Sequence, residues 1–330
     1  MHDITLILGD GIGPEVMLAA KKVIDATGVK INWNVIDTDS KRNEGLELLD
    51  YLVANIKDTR IALKGPIKTP VGKGYRSINV GLRQKLNLYA NIRPIKSFKG
   101  IDNLHQNVDL IIVRENTEDL YAGIEHMVGE DAAESIKIIT RKASERICKF
   151  AFDLAKSQGR KKVTLVHKAN IMKLSDGLFL DCGVKYAGIY RDIEFEDVIV
   201  DAMSMKLVQY PQDYDIIVTS NLYGDILSDL SAGIIGGLGL APGANIGDDI
   251  AVFEAVHGTA PDIAGKNIAN PTSAILSGAM MLKHIGENSA AIKIEKALTN
   301  TFKDDNNRTM DLGGNLGTEQ FTQSILENIR

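Results

Sequence analysis

Short, continuously apolar runs alternate along the chain with longer stretches in which apolar positions recur every three or four residues. The short runs are rich in Val, Ile and Leu and predict strands at 3–8, 33–37, 108–113, 162–167 and 214–219. Because they are not interrupted by polar residues, they predict strands covered by helices on both faces, as in a largely parallel α/β sheet. The first helix shows the pattern. Pro14 suits the first helical position, Glu15 complements the positive helix end, and Val16, Ala20, Val23 and Ile24 form one apolar stripe that Gly28 ends. A chain of 330 residues suggests about two domains. No Pro/Ser-rich linker divides it, so the domains are expected to interleave, one built from both chain ends and the other inserted between them.

Composition narrows the classes. Apolar residues make up 44% and charged residues 25%, a globular balance that excludes a disordered or collagenous chain. The net charge of −5 (38 basic against 43 acidic residues) supplies no overall basic field for a nucleic-acid partner. A small anionic substrate would therefore need a local cluster of Arg and Lys. The two cysteines, Cys148 and Cys182, stand in no metal or redox spacing, which argues against a disulfide framework or a structural zinc site. The chain opens directly into a strand-like run without a charged leader, and its longest apolar stretch, 230–241, is too short to span a bilayer. A soluble, cytoplasmic protein with no membrane partner is the expectation.

Several segments carry candidate chemistry. Gly9-Asp10-Gly11-Ile12-Gly13 lies between a strand and a helix, where either a dinucleotide phosphate loop or a plain tight turn can sit; Pro14 occupies a place the glycine fingerprint needs. Asp225 and Asp229, four apart in a helical segment, share one helix face. There they are either solvated acids or oxygen ligands for a hard divalent ion, and their place after a buried strand is where α/β sheets put ligand sites. Arg76, Arg83, Arg93 and Arg114 can grip carboxylates in bidentate fashion, with Ser77 and Asn79 as neighbouring hydrogen-bonding groups. His167-Lys168 ends a buried strand, where a desolvated lysine can work as a base. His257-Gly258-Thr259-Ala260-Pro261-Asp262 is a loop of small residues that can wrap a ligand or be a surface turn. Together these residues point to a metal-assisted enzyme acting on a small polyanion.

The same segments resemble the β-decarboxylating dehydrogenase family, which holds the isocitrate, isopropylmalate and homoisocitrate dehydrogenases. The resemblance runs from Gly9-Asp10-Gly11-Ile12-Gly13-Pro14-Glu15 to Asp311-Leu312-Gly313-Gly314. It is densest in Arg114-Glu115-Asn116-Thr117-Glu118-Asp119-Leu120-Tyr121-Ala122-Gly123, His167-Lys168-Ala169-Asn170-Ile171-Met172-Lys173, Asn221-Leu222-Tyr223-Gly224-Asp225-Ile226-Leu227-Ser228-Asp229 and His257-Gly258-Thr259-Ala260-Pro261. It implies an α/β protomer with the two-domain isocitrate/isopropylmalate dehydrogenase-like fold, which is not a Rossmann dinucleotide fold. Residues 1–92 and 245–330 would form a large cofactor-binding domain. Residues 93–244 would form a smaller inserted domain with the dimer interface and an arm at 121–141. A homodimer with shared active sites, or a higher oligomer, follows from the same likeness.

By the resemblance, Ser77, Asn79, Arg83, Arg93 and Arg114 bind substrate, and Asp225 and Asp229, with Asp201 from the partner, hold Mg²⁺ or Mn²⁺. Tyr121, with Lys168 and Asp201 both from the partner, are the implied catalytic residues. Thr69, His257, Gly258, Thr259, Ala260, Pro261, Asp262, Ile263 and Asn270 are the implied cofactor contacts. The implied chemistry is metal-assisted: hydride passes to the nicotinamide, Lys168 with Asp201 takes the hydroxyl proton, CO₂ leaves, and Tyr121 protonates the resulting enol. Metal and arginine charges are expected to bring the Tyr and Lys pKa values down from near ~10. Ser77 and Asn79 match the isocitrate members, whereas isopropylmalate members carry apolar residues there; homoisocitrate differs by one methylene and is the harder alternative to exclude. Asp262-Ile263 replaces the Lys-Tyr of NADP-using members, and an aspartate accepts ribose hydroxyls while repelling a 2′-phosphate, which implies NAD. A non-catalytic regulatory subunit is the competing reading; retention of Tyr121, Lys168, Asp201, Asp225, Asp229 and the arginines favours a catalytic one.

Overall fold

A computed structural model describes residues 1–43, 47–68 and 77–329. The chain begins β1 (His2–Ile7), α1 (Gly13–Ala26), β2 (Ile31–Ile36), α2 (Thr38–Asn43), α3 (Leu48–Thr59), β3 (Ile61–Lys64) and α4 (Ile78–Lys85). It continues with β4 (Ala90–Lys96), β5 (Asp109–Glu115), β6 (Glu125–Val128), β7 (Ala132–Ser135), α5 (Arg141–Gln158), β8 (Lys162–His167) and α6 (Ser175–Ile189). Then come β9 (Glu194–Ile199), α7 (Val200–Gln209), β10 (Ile216–Thr219), α8 (Asn221–Ile234), β11 (Pro242–Ile246) and β12 (Ala251–Ala255). The last elements are α9 (Thr272–His284), α10 (Asn288–Thr301) and α11 (Thr318–Ile329). The result is a mixed α/β fold. Its residues divide into two compact units, Met1–Leu86 with Ser97–Gln106 and Ile235–Arg330, and Asn87–Lys96 with Asn107–Ile234.

In the first unit the strands run in the order β2-β1-β3-β12-β11, parallel except for the β12–β11 pair. Ile4, Leu6, Leu63, Val252 and Phe253 are fully or almost fully buried, which is why their runs carry no polar alternation. The α1 stripe of Val16, Ala20, Val23 and Ile24 is wholly buried, and α1 packs on α9 and α11. Each of the buried Val and Ile side chains contributes about 1.5–3 kcal/mol relative to exposure. The chain ends therefore build one core together.

In the second unit the order is β4-β5-β10-β8-β9, with β4 antiparallel to β5 and the rest parallel. The five predicted strands are all present as β1, β2, β5, β8 and β10. β4 escapes the sequence pattern because Arg93 and Pro94 interrupt it, and β9 because its Glu194-Phe-Glu-Asp alternation marks an edge strand. Cys148 and Cys182 are buried free thiols. Among the described residues no helix is long and apolar enough to cross a membrane.

Candidate active site

In the second unit the parallel strands β5, β8 and β10 bring their carboxyl ends together, the end at which α/β sheets bind ligands. β5 delivers Arg114 there, 1% exposed. Its Nε donates to Asn221 Oδ1 at 2.9 Å and its Nη1 to Asp225 Oδ1. Gly224 makes this possible: a Cβ at that position would lie 2.5 Å from Arg114 Cγ. On β4, Arg93 donates from Nη1 to Ser228 Oγ at 3.0 Å and Asp229 Oδ1 at 3.1 Å, and from Nε to Asn91 Oδ1 at 2.9 Å. Its Nη2 lies 3.8 Å from Asp225 Oδ1. Tyr121, on the single turn Leu120–Ala122, donates its hydroxyl proton to Asp225 Oδ2, and the Arg114 guanidinium carbon stands 5.1 Å from its ring centroid.

Helix spacing thus places Asp225 and Asp229 on one face, against two guanidinium groups. The arginines are buried, while the Asp225 and Asp229 side chains are 37% and 54% exposed, so the carboxylates are what an arriving ligand meets. Burial, then the neighbouring Asp225, pushes the Asp229 carboxyl up against the opposing pull of Arg93 and Arg114. This donor set fits a hard divalent cation: its donors are carboxylate oxygens, and a cation would relieve the repulsion felt at Asp229. The Tyr121 hydroxyl is pushed above its ordinary value by burial and by the bond to Asp225, which together outweigh Arg114. In the chain by itself, then, Tyr121 moves opposite to the lowering expected from its cationic surroundings.

Lys168, just beyond β8, pairs through Nζ with Asp201 in the first turn of α7. That hydrogen bond holds the Asp201 carboxyl below its usual range. Among the described residues no three His, Cys, Asp or Glu side chains gather as a metal centre, so Asp201 is not grouped with Asp225 and Asp229 within one chain.

In the first unit, α4 carries Arg83, whose Nη2 is 3.4 Å from Glu254 Oε1. Glu254, on β12, also takes Lys64 Nζ at 2.7 Å and Asn245 Nδ2 at 2.7 Å. Burial alone would raise this carboxyl, but Lys64 and Arg83 outweigh it and hold it well below the usual carboxylate range. Sequence reasoning missed Lys64 and Glu254; the signal was a charged residue within or ending an otherwise apolar strand, Ile61–Lys64 and Ala251–Ala255. Ser77 is half-buried just before α4. Asn79 donates to the Ile67 carbonyl at 3.5 Å, and its own Oδ1 is buried without a hydrogen-bond partner. That orphaned oxygen suits a donor such as an amide or hydroxyl rather than an ionised carboxylate. Thr69 and Arg76 lie outside the described residues.

The glycine turn after β1 resolves as a tight βα connection. Ile12 donates to the Thr259 carbonyl at 2.9 Å, and a Cβ on Gly11 would fall 2.0 Å from that oxygen. Backbone fills the space a pyrophosphate would need, and the turn instead seats the His257–Pro261 loop. Gly258 is open to solvent, Ala260 takes φ +37°, and Asp262 and Ile263 follow on a single turn, Asp262 exposed. His257 contacts the Gly258 carbonyl through Nδ1 at 3.1 Å, while Nε2 is buried without a partner; burial pushes its pKa down, favouring the neutral ring. Asn270 spends its side chain internally, accepting from Thr272 N at 3.0 Å and donating to Asp311 Oδ2 at 3.0 Å.

This combination of fold and charged cluster is that of a dehydrogenase family. Residues 3–329 match the isocitrate/isopropylmalate dehydrogenase family, and the chain belongs to it. A protein of Arabidopsis thaliana named isocitrate dehydrogenase [NAD] catalytic subunit 6, mitochondrial, is 50% identical over 98% of this chain and 88% of its own length. A Dictyostelium discoideum protein, named as a regulatory subunit of mitochondrial NAD isocitrate dehydrogenase, is 49% identical over 100% of this chain and 92% of its own. The crystal structure of isocitrate dehydrogenase from Methylococcus capsulatus superposes with a TM-score of 0.96 at 56% identity, covering 100% of both chains.

Proposed function

We propose that this chain is a catalytic subunit that oxidatively decarboxylates isocitrate to 2-oxoglutarate and CO₂ with NAD and Mg²⁺ or Mn²⁺, the reaction of the tricarboxylic acid cycle. The observation that carries the reading is the cluster of Arg93, Arg114, Tyr121, Asp225 and Asp229 at the carboxyl ends of parallel strands. Without substrate the guanidinium groups are neutralised by the chain's own acids. Substrate carboxylates could replace the aspartates on the arginines, which would leave the Asp225 and Asp229 oxygens to hold a divalent cation.

In this reading Arg93 and Arg114 grip substrate carboxylates, and the family likeness adds Arg83 and Ser77 as substrate-binding residues; the buried Asn79 oxygen, which needs a donor, does not fit the ionised carboxylate expected of it. Asp225 and Asp229 hold the ion together with Asp201 of a partner copy. Once bound, the ion supplies Lewis-acid polarisation of the substrate hydroxyl. Lys168 of the partner copy, paired with Asp201, takes the hydroxyl proton, and the nicotinamide, when bound, would supply the hydride acceptor. Tyr121, a phenol that carries its proton at neutrality, delivers that proton to carbon after CO₂ departs. The His257–Ile263 loop with Thr69 and Asn270 holds NAD, exposed Asp262 favouring ribose hydroxyls over a 2′-phosphate. The exposed hairpin β6–β7, within the 121–141 arm, locks two copies into a dimer. Two buried free thiols accord with a reducing compartment such as the cytoplasm.

The purified chain should reduce NAD with isocitrate and Mn²⁺, and do so faster than NADP, and faster than with homoisocitrate or isopropylmalate. No turnover by the chain alone would favour a regulatory role, the one named for the Dictyostelium relative. Turnover that prefers homoisocitrate or isopropylmalate would replace the substrate while keeping the chemistry.

A further inference from the structure

Lys168 can move a proton only if its ammonium reaches one place, and a side chain with four rotatable bonds does that only from a fixed backbone. Strand β8 ends one residue earlier, at His167. The Lys168 N–H is donated instead to Asp176 Oδ2 at 2.7 Å. Asp176, in the first turn of α6, is 2% exposed. A neutral acceptor would serve the N–H equally well, and a buried carboxylate is costly unless paired, so the charge at this position calls for a partner.

The partner is Lys137, whose Nζ donates to Asp176 Oδ1 at 2.6 Å. Lys137 Nζ also stands 4.3 Å from the Tyr223 ring centroid, 3.3 Å from the Tyr223 hydroxyl and 3.9 Å from Asp119 Oδ1. Asp119, itself fully buried, accepts from Leu222 N at 2.9 Å in the first turn of α8. One half-buried ammonium therefore joins the Lys168 loop to the helix that carries Asp225 and Asp229. We infer that Asp176 and Lys137 are positioning residues for Lys168, fixing its backbone so that its ammonium is placed for proton transfer in the site it shares with a partner copy. The inference rests on the reading of Lys168 as the proton-transfer group.

The test uses the full-length enzyme with isocitrate, Mn²⁺ and NAD, and with isocitrate deuterated at the hydroxyl-bearing carbon, in Asp176→Asn, Lys137→Met and Lys137→Arg, with Lys168→Met as reference. Asp176→Asn and Lys137→Met should lower kcat about 10–100-fold. The KM for isocitrate should stay within about threefold. The deuterium isotope effect on kcat should grow as chemistry slows relative to product release. Lys137→Arg, which keeps the charge, should recover most of the turnover lost in Lys137→Met. Wild-type turnover in Asp176→Asn and Lys137→Met, with Lys168→Met inactive, overturns this inference alone. So does a loss of kcat with an unchanged isotope effect and a matching loss of folded protein by circular dichroism. Wild-type turnover in Lys168→Met overturns the underlying reading as well. Should Asp176→Asn fail to fold, the Lys137 pair decides by the same criteria.

Discussion

Tyr121 and Asp225 share a hydrogen bond in which the phenol donates to Oδ2, leaving Oδ1 of the same carboxylate to Arg114. Removing the hydroxyl therefore spares the Arg114–Asp225 contact and the groups that grip the substrate. Tyr121→Phe should reduce kcat by about 10²–10⁴-fold, the usual worth of a positioned acid or base. The KM for isocitrate should change far less. Steady-state kinetics check this; weakened binding at normal turnover would contradict the proton-donor role.

Glu254 faces two cations, Lys64 and Arg83, within the first unit. Glu254→Gln leaves the buried Lys64 ammonium without its counter-charge and should destabilise the protein by about 3–5 kcal/mol, read as a lower urea midpoint. Replacing both partners, Lys64→Met with Glu254→Leu, should cost less than Glu254→Gln alone. A double mutant as unstable as the single one would show that the ion pair is not what the stability depends on.

Glu118 gives the stability a pH dependence. Its carboxyl accepts from Thr140 N at 2.9 Å and Thr140 Oγ1 at 2.8 Å, which lowers its pKa. Burial, the largest influence, with nearby Glu115 and Asp119, nevertheless raises it from 4.5 to about 7. Between these values the unfolded chain is ionised and the folded chain protonated, so folding takes up a proton and stability falls as pH rises through that window. Glu118→Gln should raise the thermal midpoint at pH 8 by roughly 2–4 °C and leave it nearly unchanged at pH 4. Equal shifts at both pH values would argue against the titration.

Cofactor preference is tested at the exposed turn after Pro261. Asp262→Lys with Ile263→Tyr should raise kcat/KM for NADP relative to NAD at least about tenfold, equivalent to ~1.4 kcal/mol. An unchanged ratio would locate selectivity elsewhere in the first unit.

The metal assignment predicts that Asp229→Asn weakens Mn²⁺ binding at least about tenfold, measured from the free-ion signal in electron paramagnetic resonance. Unchanged Mn²⁺ affinity would remove Asp229 from the ligand set.

Legibility followed the distance over which each interaction acts. α1 was readable because its proline, acidic first turn, apolar stripe and terminal glycine lie within one short window. Arg114 and Asp225 stood out individually, one ending a buried strand and the other opening a helix, but their contact spans 111 positions and left no local trace. The Lys168–Asp201 pair, 33 apart, was suggested only by likeness to a family. Lys64 and Glu254 were hidden for a different reason: each sits in a strand whose apolar character reads as core, and a charge there is explained only by its partner. Asn270 was recognisable as a residue of interest, yet nothing local revealed that its amide is occupied by Thr272 and Asp311.

The route of the chain through the first unit has a consequence for synthesis. β1 is flanked by β2 and β3, but α1 completes its packing only against α9 and α11, so this helix must await segments made much later. At about 5–20 residues per second, translating 235–330 takes roughly 5–20 s. Throughout that interval the segment 107–234 has already been made, with all the strands that join β4 in the second unit. The nascent polypeptide thus has reason to fold from the middle outward, with the apolar stripe of α1 the most in need of a chaperone's cover.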